Sequence, residues 1–329
     1  MSTVTAEATT VQSPPSSAHR GLVRTVLRLH RWALWFWVLF LVVTGGALLW
    51  AYGPGAHAAW QEYRAADCAR DGFLPACGTN GPGYQYFSTV VDSASALLYS
   101  VPLLTAAWAG SALIGRELEN GTTALVWTQS VSPARWLAAK LAVPAALLVA
   151  GTAVLSLLHR TVWSADRELW HDMGGEWHSG SIYTANGTLL TAYVLLGLAV
   201  GVLAGLVVRN ALPALAAAAI GFAVLLNVLD SLRTHLWPVK TLTGKDGYPD
   251  YIGMVVGDGA LTSTGARIPD PVCVDDAACL ARHDIVGYYR DYHPSSHFWP
   301  LQLVETGIVL ALAAALTFAA FALLRRRTA

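Results

Sequence analysis

Charged residues are scarce in this sequence. They make up 13% of the 329 residues, about half the share of about 25% that is usual in soluble globular proteins. The 21 Lys and Arg are matched by 21 Asp and Glu, which argues against a basic nucleic-acid-binding protein. Since 54% of the residues are hydrophobic, a disordered chain is excluded as well, because such chains are poor in apolar residues. The composition therefore argues against a single soluble domain.

The common catalytic motifs are also lacking. No GxxxxGKS or GxxxxGKT phosphate-binding loop occurs, and HExxH and GxSxG are absent. The four cysteines include no CxxC pair of the kind that binds zinc. We therefore expect no catalytic residue of these kinds and no metal site.

Six long apolar runs with few charges are present. An uncharged apolar run of about 18 or more residues is a candidate transmembrane helix. We predict an all-α integral membrane protein with six transmembrane helices in one domain over residues 20–329, and a long outer loop between the fifth and sixth helices. The predicted spans are about 32–52, 93–115, 136–158, 187–208, 211–230 and 304–324.

The N-terminal segment 1–19 is polar and rich in Ser, Thr and Pro. It predicts a disordered cytoplasmic tail, because a signal peptide would need an apolar stretch and a cleavage site close to the N-terminus. In the next segment, Arg24, Arg28 and Arg31 share one face at helical spacing. This segment suits either an amphipathic helix at the inner membrane surface or an extension of the first span.

The balanced charge is divided unevenly between the two sides of the predicted bundle. The two termini and the loops on their side carry 11 basic and 3 acidic residues, whereas the opposite loops carry 10 basic and 18 acidic residues. Cytoplasmic flanks are enriched in Lys and Arg. We therefore expect both termini to lie in the cytoplasm.

The four cysteines all fall in the predicted outer loops. Disulfides persist in oxidising compartments, so their placement agrees with the predicted orientation. Three pairings are possible, and we favour Cys68–Cys77 and Cys273–Cys279. Four free thiols remain the alternative.

Small residues recur along the fourth span, with Gly197, Gly201 and Gly205 four residues apart. Such a stripe lets a neighbouring helix approach closely. We expect a packing face within the chain, and an interface between two subunits is the alternative.

Three carboxylates stand at the outer ends of predicted helices, namely Asp92, Asp230 and Glu305. Carboxylates within a membrane often mark ion pathways. At helix ends they are expected to be solvated, and an outer gate built from the second, fifth and sixth spans is the alternative.

One histidine needs a separate test. His30, in RLHRW, precedes an apolar helix that contains Thr44-Gly45, in a pattern that vaguely resembles a haem-binding membrane helix. A haem between helices usually has a second axial ligand at the same depth, and His159 and His235 are predicted at the opposite end. A membrane haem protein is therefore the weaker alternative.

The predicted inner loop between the second and third spans is the most informative segment. It reads GRELENGTTALVWTQSVSPARWLAAKLAV over residues 115–143. Asn120-Gly121 favours a turn, and the segment carries charges that a soluble partner could contact, with Trp127 as an apolar anchor. A hairpin that is merely solvated is the alternative, and Lys140 could extend its ammonium to the interface.

This segment resembles permease subunits of the ABC-2 transporter family, in which an acidic pair and Gly-Thr follow the second helix and a Lys begins the third. The tract FWPLQLVETGI before the sixth span is similar to actinobacterial members. The matching positions are Glu117, Glu119, Gly121, Thr122, Thr128, Ser132, Arg135 and Lys140.

The resemblance implies the membrane-spanning permease of an exporter that couples to ATP hydrolysis on a separate cytoplasmic ATPase. It also implies a second permease copy, identical or different, with ATP and Mg²⁺ bound by the ATPase. On the same resemblance, we expect this chain itself to carry no cofactor and to have no enzymatic activity. The predicted ATPase-coupling residues are Arg116, Glu117, Glu119, Asn120, Gly121, Thr122, Trp127, Thr128, Gln129, Ser132 and Arg135.

Arg makes up 18 of the 21 basic residues, which together with the high Ala content indicates a GC-rich bacterial source and hence a bacterial cell membrane. A non-transporting sensor or immunity subunit on the same scaffold is the main alternative function. Amphiphilic antibiotics, peptides and lipids all stay open as substrates.

Overall fold

The computed structural model describes residues 15–66, 81–123, 132–245, 247–250, 253–273 and 276–328. Within these ranges, six helices are long and apolar enough to cross a membrane, so the predicted helical membrane fold is confirmed. They are α2 (Arg31–Ala65), α3 (Pro82–Glu119), α4 (Pro133–Ala165), α7 (Leu189–Val208), α8 (Ala211–Arg233) and α10 (Phe298–Thr328). Shorter helices are α1 (Pro15–Leu29), α5 (Arg167–Asp172), α6 (Gly180–Ala185) and α9 (Ala277–Arg282).

Several spanning helices are longer than their apolar runs. α3 has 38 residues and α4 has 33, whereas about 20 residues cross the hydrocarbon core. α3 begins at Pro82, a residue favoured at the first helical position, and the Glu62 carboxylate accepts hydrogen bonds from Gly83 N at 2.9 Å and Tyr84 N at 2.7 Å. The apolar run marks only the middle of such a helix, because polar turns at its ends continue the same backbone.

The N-terminal prediction is partly wrong. α1 begins at Pro15, so residues 15–19 are helical rather than disordered, with proline again at a helix start. Residues 1–14 lie outside the described residues. α1 is separated from α2 by His30 alone, and it buries Val26 while Arg24 and Arg28 are exposed. This is the pattern of an amphipathic helix.

α7 is the central helix of the bundle. It buries 13 of its 20 residues and contacts α3, α4, α8 and α10. Its stripe of small residues faces α3. A Cβ at Gly197 or Gly201 would overlap a backbone oxygen of α3, and one at Gly205 would lie 2.8 Å from Ile114 Cβ. The stripe therefore packs within the chain.

This packing leads to a stability prediction. We expect Gly201→Ala to lower the stability by about 1–3 kcal/mol, the usual cost of overpacking, because the added methyl group meets the backbone of Ala106 and Gly110. Gly221→Ala in α8 is the matched control, because nothing lies within 4 Å of its new Cβ. Thermal unfolding of the purified variants in detergent measures both, and equal melting temperatures would contradict the packing assignment.

The segment between α8 and α10 contains a small sheet, which the sequence did not predict. Its strands are β1 (Lys240–Gly244), β2 (Gly253–Thr262), β3 (Arg267–Ile268) and β4 (Ile285–Pro294), paired antiparallel in the order β1-β4-β2-β3. A disulfide joins Cys273 to Cys279 of α9, so this favoured pair is present. The cysteines of the other favoured pair, Cys68 and Cys77, lie outside the described residues.

Candidate functional site

Segment 115–143 lies where α3 ends and α4 begins, at what we call the Lys140 end of the bundle. α3 closes with Asn120 N donating to Arg116 O at 3.1 Å. Gly121 follows with a φ of +67°, a left-handed conformation that glycine adopts without strain at a helix C-terminus. At the other side of the segment, Ser132 Oγ accepts a hydrogen bond from Arg135 N at 3.4 Å and caps α4. The turn that Asn120-Gly121 predicted is present.

Lys140 is the most deeply buried charge at this end, with 3% of the residue exposed. Its ammonium group forms an ion pair with Glu117, donates to Leu113 O at 2.9 Å and lies 5.6 Å from the ring centroid of Trp136. The expectation that Lys140 extends to the interface is wrong, because these partners on α3 and α4 satisfy the ammonium inside the bundle. The ion pair joins the end of α3 to the start of α4.

His30 Nε2 lies 3.5 Å from the Lys140 ammonium. Burial and the positive charge of Lys140 lower the pKa of His30 to about 4, so the imidazole is neutral at pH 7 and its nitrogen can accept from the ammonium. The ring of His30 also meets Trp108 edge to face at 5.6 Å. The residue that raised the haem alternative thus connects the start of α2 to α3 and α4.

Glu119 forms a hydrogen bond with a third spanning helix, α8. Its carboxylate accepts a hydrogen bond from Ala211 N at 2.9 Å, at the N-terminus of α8, where a negative charge also interacts favourably with the helix dipole. Both acidic residues that were expected to offer charge to a partner therefore contact this chain itself. The exposed cations of the segment are Arg116 and Arg135.

Three other predicted coupling residues, Trp127, Thr128 and Gln129, lie outside the described residues. Thr122 is exposed and donates to Glu117 O at 3.2 Å.

The opposite end, which we call the Glu305 end, contains a buried charged cluster. Arg233 of α8 donates to Glu305 of α10 from Nε at 2.8 Å and from a terminal nitrogen at 3.0 Å. Tyr193 of α7 donates to the same carboxylate at 2.6 Å, and Asp230 accepts from Arg233 at 2.6 Å. The cluster connects three spanning helices.

This cluster changes the interpretation of the three outer carboxylates. The expectation that Glu305 is solvated is wrong, since its side chain is fully buried, whereas the Asp230 side chain is 60% exposed. Asp92 lies on an exposed face of α3, and no contact in the described residues joins it to the other two. Two of the three predicted gate residues are therefore brought together, through an arginine that the sequence did not single out.

A second network of buried polar side chains was also not predicted from the sequence. His159 of α4 is fully buried between Ser95 Oγ at 2.8 Å and Asn186 Oδ1 at 2.6 Å, and Arg160 donates to Asn186 O at 3.0 Å. The sequence offered one signal, a histidine at the end of an apolar run, and predicted only that it lies at the end of the bundle opposite His30. The network joins α3 and α4 to the residue that follows α6.

Six apolar helices with charged groups neutralised where helices meet are the features of a multi-pass helical membrane protein. A family model described as ABC-2 membrane transporter related matches residues 38–233, more than half of the 329 residues. The chain therefore belongs to the ABC-2 membrane transporter related family, and the resemblance noted from segment 115–143 is confirmed. No curated protein and no solved structure matches the chain.

The range that the family model matches covers only part of the chain. It contains Glu117, Lys140 and the start of α8, and it ends at Arg233. The sheet and α10, with Glu305, follow it. Family membership identifies this chain as a membrane component of a transporter.

Proposed function

We propose that the chain is the permease subunit of an ATP-binding-cassette exporter. A separate ATPase subunit binds ATP and Mg²⁺ and hydrolyses the nucleotide, while two permease copies form the path across the membrane. Family membership supports the permease role. The observation that carries the coupling role is the attachment of segment 115–143 to three spanning helices.

That attachment explains how a movement of segment 115–143, caused by a partner, is transmitted to the spanning helices. The Glu117–Lys140 ion pair ties α3 to α4, and Glu119 ties α3 to the start of α8. A partner that displaced the turn at Asn120-Gly121 would therefore move three helix ends together.

The distribution of charge supports a cytoplasmic location for the Lys140 end. Exposed arginines gather there, and they include Arg116, Arg135, Arg209 and the run Arg325–Arg327. Because cytoplasmic flanks of membrane helices carry excess basic residues, this end would face the ATPase in a bacterial cell membrane. The sheet at the Glu305 end would then lie outside.

Affinity purification from native membranes tests the proposal. The tagged chain, extracted in mild detergent, is expected to retain a P-loop ATPase in near-equal amount, identified by mass spectrometry. Glu119→Lys should release the ATPase, because it removes the contact to α8 and reverses the charge. Arg326→Gln, at the same end but outside segment 115–143, serves as the matched control.

The alternative functions give different outcomes. Recovery of the folded chain without any ATPase, in detergent that preserves known exporters, would contradict the proposal and favour a sensor or immunity subunit. A Soret absorption band in the purified chain would favour the haem alternative.

The orientation can be tested with the remaining disulfide. In a variant with Cys68→Ser and Cys77→Ser, we expect a membrane-impermeant maleimide to label Cys273 and Cys279 on intact cells only after reduction. Thr122→Cys, in a chain without other cysteines, should be labelled only after the cells are permeabilised. Labelling of the cysteine at position 122 on intact cells would reverse the proposed orientation.

A further inference from the structure

A cleft opens on the side of the bundle between α1, α2, α3 and α4. Its volume is about 920 Å³, within the range of small-molecule sites. It is separate from the Glu305 cluster, whose residues lie at the other end of the bundle. Exposed apolar side chains form its walls, including Leu29, Trp32, Phe36 and Leu104. In a bilayer, such walls face acyl chains rather than water.

The long axis of the cleft follows α3. The lining residues of α3 run from Val101 through Leu104, Trp108 and Ala112 to Arg116, spaced so that they share one helical face. Val101 and Ala112 are eleven positions apart, which corresponds to about 17 Å at 1.5 Å per residue. This is about half of the hydrocarbon core, which is about 30 Å thick, so the apolar part has the depth of one leaflet.

Where the cleft reaches the Lys140 end of the bundle, its lining is polar and positively charged. Arg116 and the Glu117–Lys140 pair line it, and the pair is internally neutral, which leaves the guanidinium of Arg116. The exposed Arg24 and Arg28 of α1 lie beside the lining residues Thr25 and Leu29. Arginine is well suited to bind phosphate, because its planar guanidinium can donate two parallel hydrogen bonds.

We propose that this cleft is a binding site for one anionic phospholipid of the leaflet at the Lys140 end. An acyl chain fills the apolar part between α2 and α3, and the headgroup phosphate contacts Arg116 with Arg24 and Arg28 nearby. The apolar depth, the position of the cations at one end and the lateral opening together fit an amphiphile with a negative headgroup. The site does not depend on an ATPase partner.

Native mass spectrometry of the purified full chain tests the site. The protein is titrated with phosphatidylglycerol and, separately, with phosphatidylcholine of the same acyl chains. We expect the first phosphatidylglycerol to bind about 10-fold more tightly, equivalent to about 1.4 kcal/mol, because the choline cation of phosphatidylcholine offsets the phosphate charge and is repelled by the arginines. Inorganic phosphate should not compete, because it lacks the acyl chains. Equal affinity for the two lipids, or displacement by phosphate, would overturn the proposal.

Two matched pairs of variants locate the binding. Ala139→Trp puts a large side chain into the cleft, whereas Ala138→Trp changes its exposed neighbour on α4, which does not line the cleft. Arg116→Gln removes the proposed phosphate contact, and Arg326→Gln removes an arginine elsewhere at the same end.

We expect Ala139→Trp and Arg116→Gln to lose the tight first phosphatidylglycerol and their controls to keep it. Unchanged binding in Ala139→Trp or Arg116→Gln would overturn the site. If Ala139→Trp fails to fold, the Arg116→Gln pair decides the question, because that side chain is exposed and its loss leaves the packing intact.

Discussion

Glu117→Ala is expected to lower the stability of the bundle by about 3–5 kcal/mol, the usual cost of removing one partner of a buried ion pair. The change removes the carboxylate that is paired with the Lys140 ammonium, and Lys140 is 3% exposed. The ammonium then keeps uncharged partners, namely Leu113 O at 2.9 Å, His30 Nε2 at 3.5 Å and the ring of Trp136 at 5.6 Å. Thermal unfolding in detergent should show a melting temperature lower by about 6 °C or more, at roughly 2–4 °C per kcal/mol.

A double variant separates the ion pair from general damage. In Glu117→Ala with Lys140→Met, no unpaired charge is left inside, so we expect the double variant to be more stable than Glu117→Ala alone. Arg116→Ala, which removes an exposed neighbouring charge, should change the stability by no more than about 0.5 kcal/mol. If Arg116→Ala and Glu117→Ala were equally stable, Lys140 would not depend on Glu117.

Arg233→Met is expected to cost at least as much stability. Arg233 holds the fully buried Glu305 carboxylate with hydrogen bonds of 2.8 and 3.0 Å. After the change the carboxylate loses both bonds and its positive partner, and it keeps the hydrogen bond from Tyr193. An uncompensated buried charge typically costs about 3–5 kcal/mol. Because the cluster joins α7, α8 and α10, we also expect a loss of folded protein in the membrane fraction, measured by size-exclusion chromatography.

The exposed partner of the same arginine supplies the control. Asp230 contacts Arg233 at 2.6 Å, but its side chain is 60% exposed, and exposed ion pairs contribute about 0–1 kcal/mol. The stability of Asp230→Asn should therefore be close to that of the unchanged protein. The double variant Arg233→Met with Glu305→Gln should recover part of the stability that Arg233→Met loses. A large effect of Asp230→Asn together with a small effect of Arg233→Met would reverse the assigned roles.

Hydropathy alone predicted the six spans, because crossing a bilayer requires a long apolar stretch whatever the tertiary contacts are. It did not predict where the helices end. The apolar run of the second span starts near residue 93, whereas α3 starts at Pro82. The extra turns are held by a proline and by the distant Glu62, and neither contributes hydrophobicity.

The candidate site was predicted as a segment, but its contacts were not. The sequence identified Glu117, Glu119 and Lys140 as charged residues in the right loop, and resemblance assigned them to a transporter family. Pairing Glu117 with Lys140 depends on how α3 and α4 are rotated against each other, which is set by packing. The sequence analysis considered each charge separately. It therefore predicted that Lys140 extends to the membrane interface and that Glu119 contacts a partner protein.

At the Glu305 end, the sequence did not predict the buried ion pair, because its two residues are far apart along the chain. Glu305 and Arg233 are 72 residues apart, with the sheet between them, and both lie at helix ends where solvated charges are common. The sheet itself was hidden because β4 contains the polar stretch Tyr288–His293, whose side chains are mostly half-buried. A half-buried strand lacks the clear alternation that identifies strands in a sequence.

Site-specific photocrosslinking tests the central claim, that segment 115–143 contacts an ATPase, most directly. A photoreactive amino acid at Thr122, which is exposed next to the turn, should crosslink to a P-loop ATPase in cells. The same amino acid at Thr264, exposed beside the sheet at the other end, should give no such product. Absence of an ATPase crosslink from position 122, or an ATPase crosslink from position 264, would contradict the account.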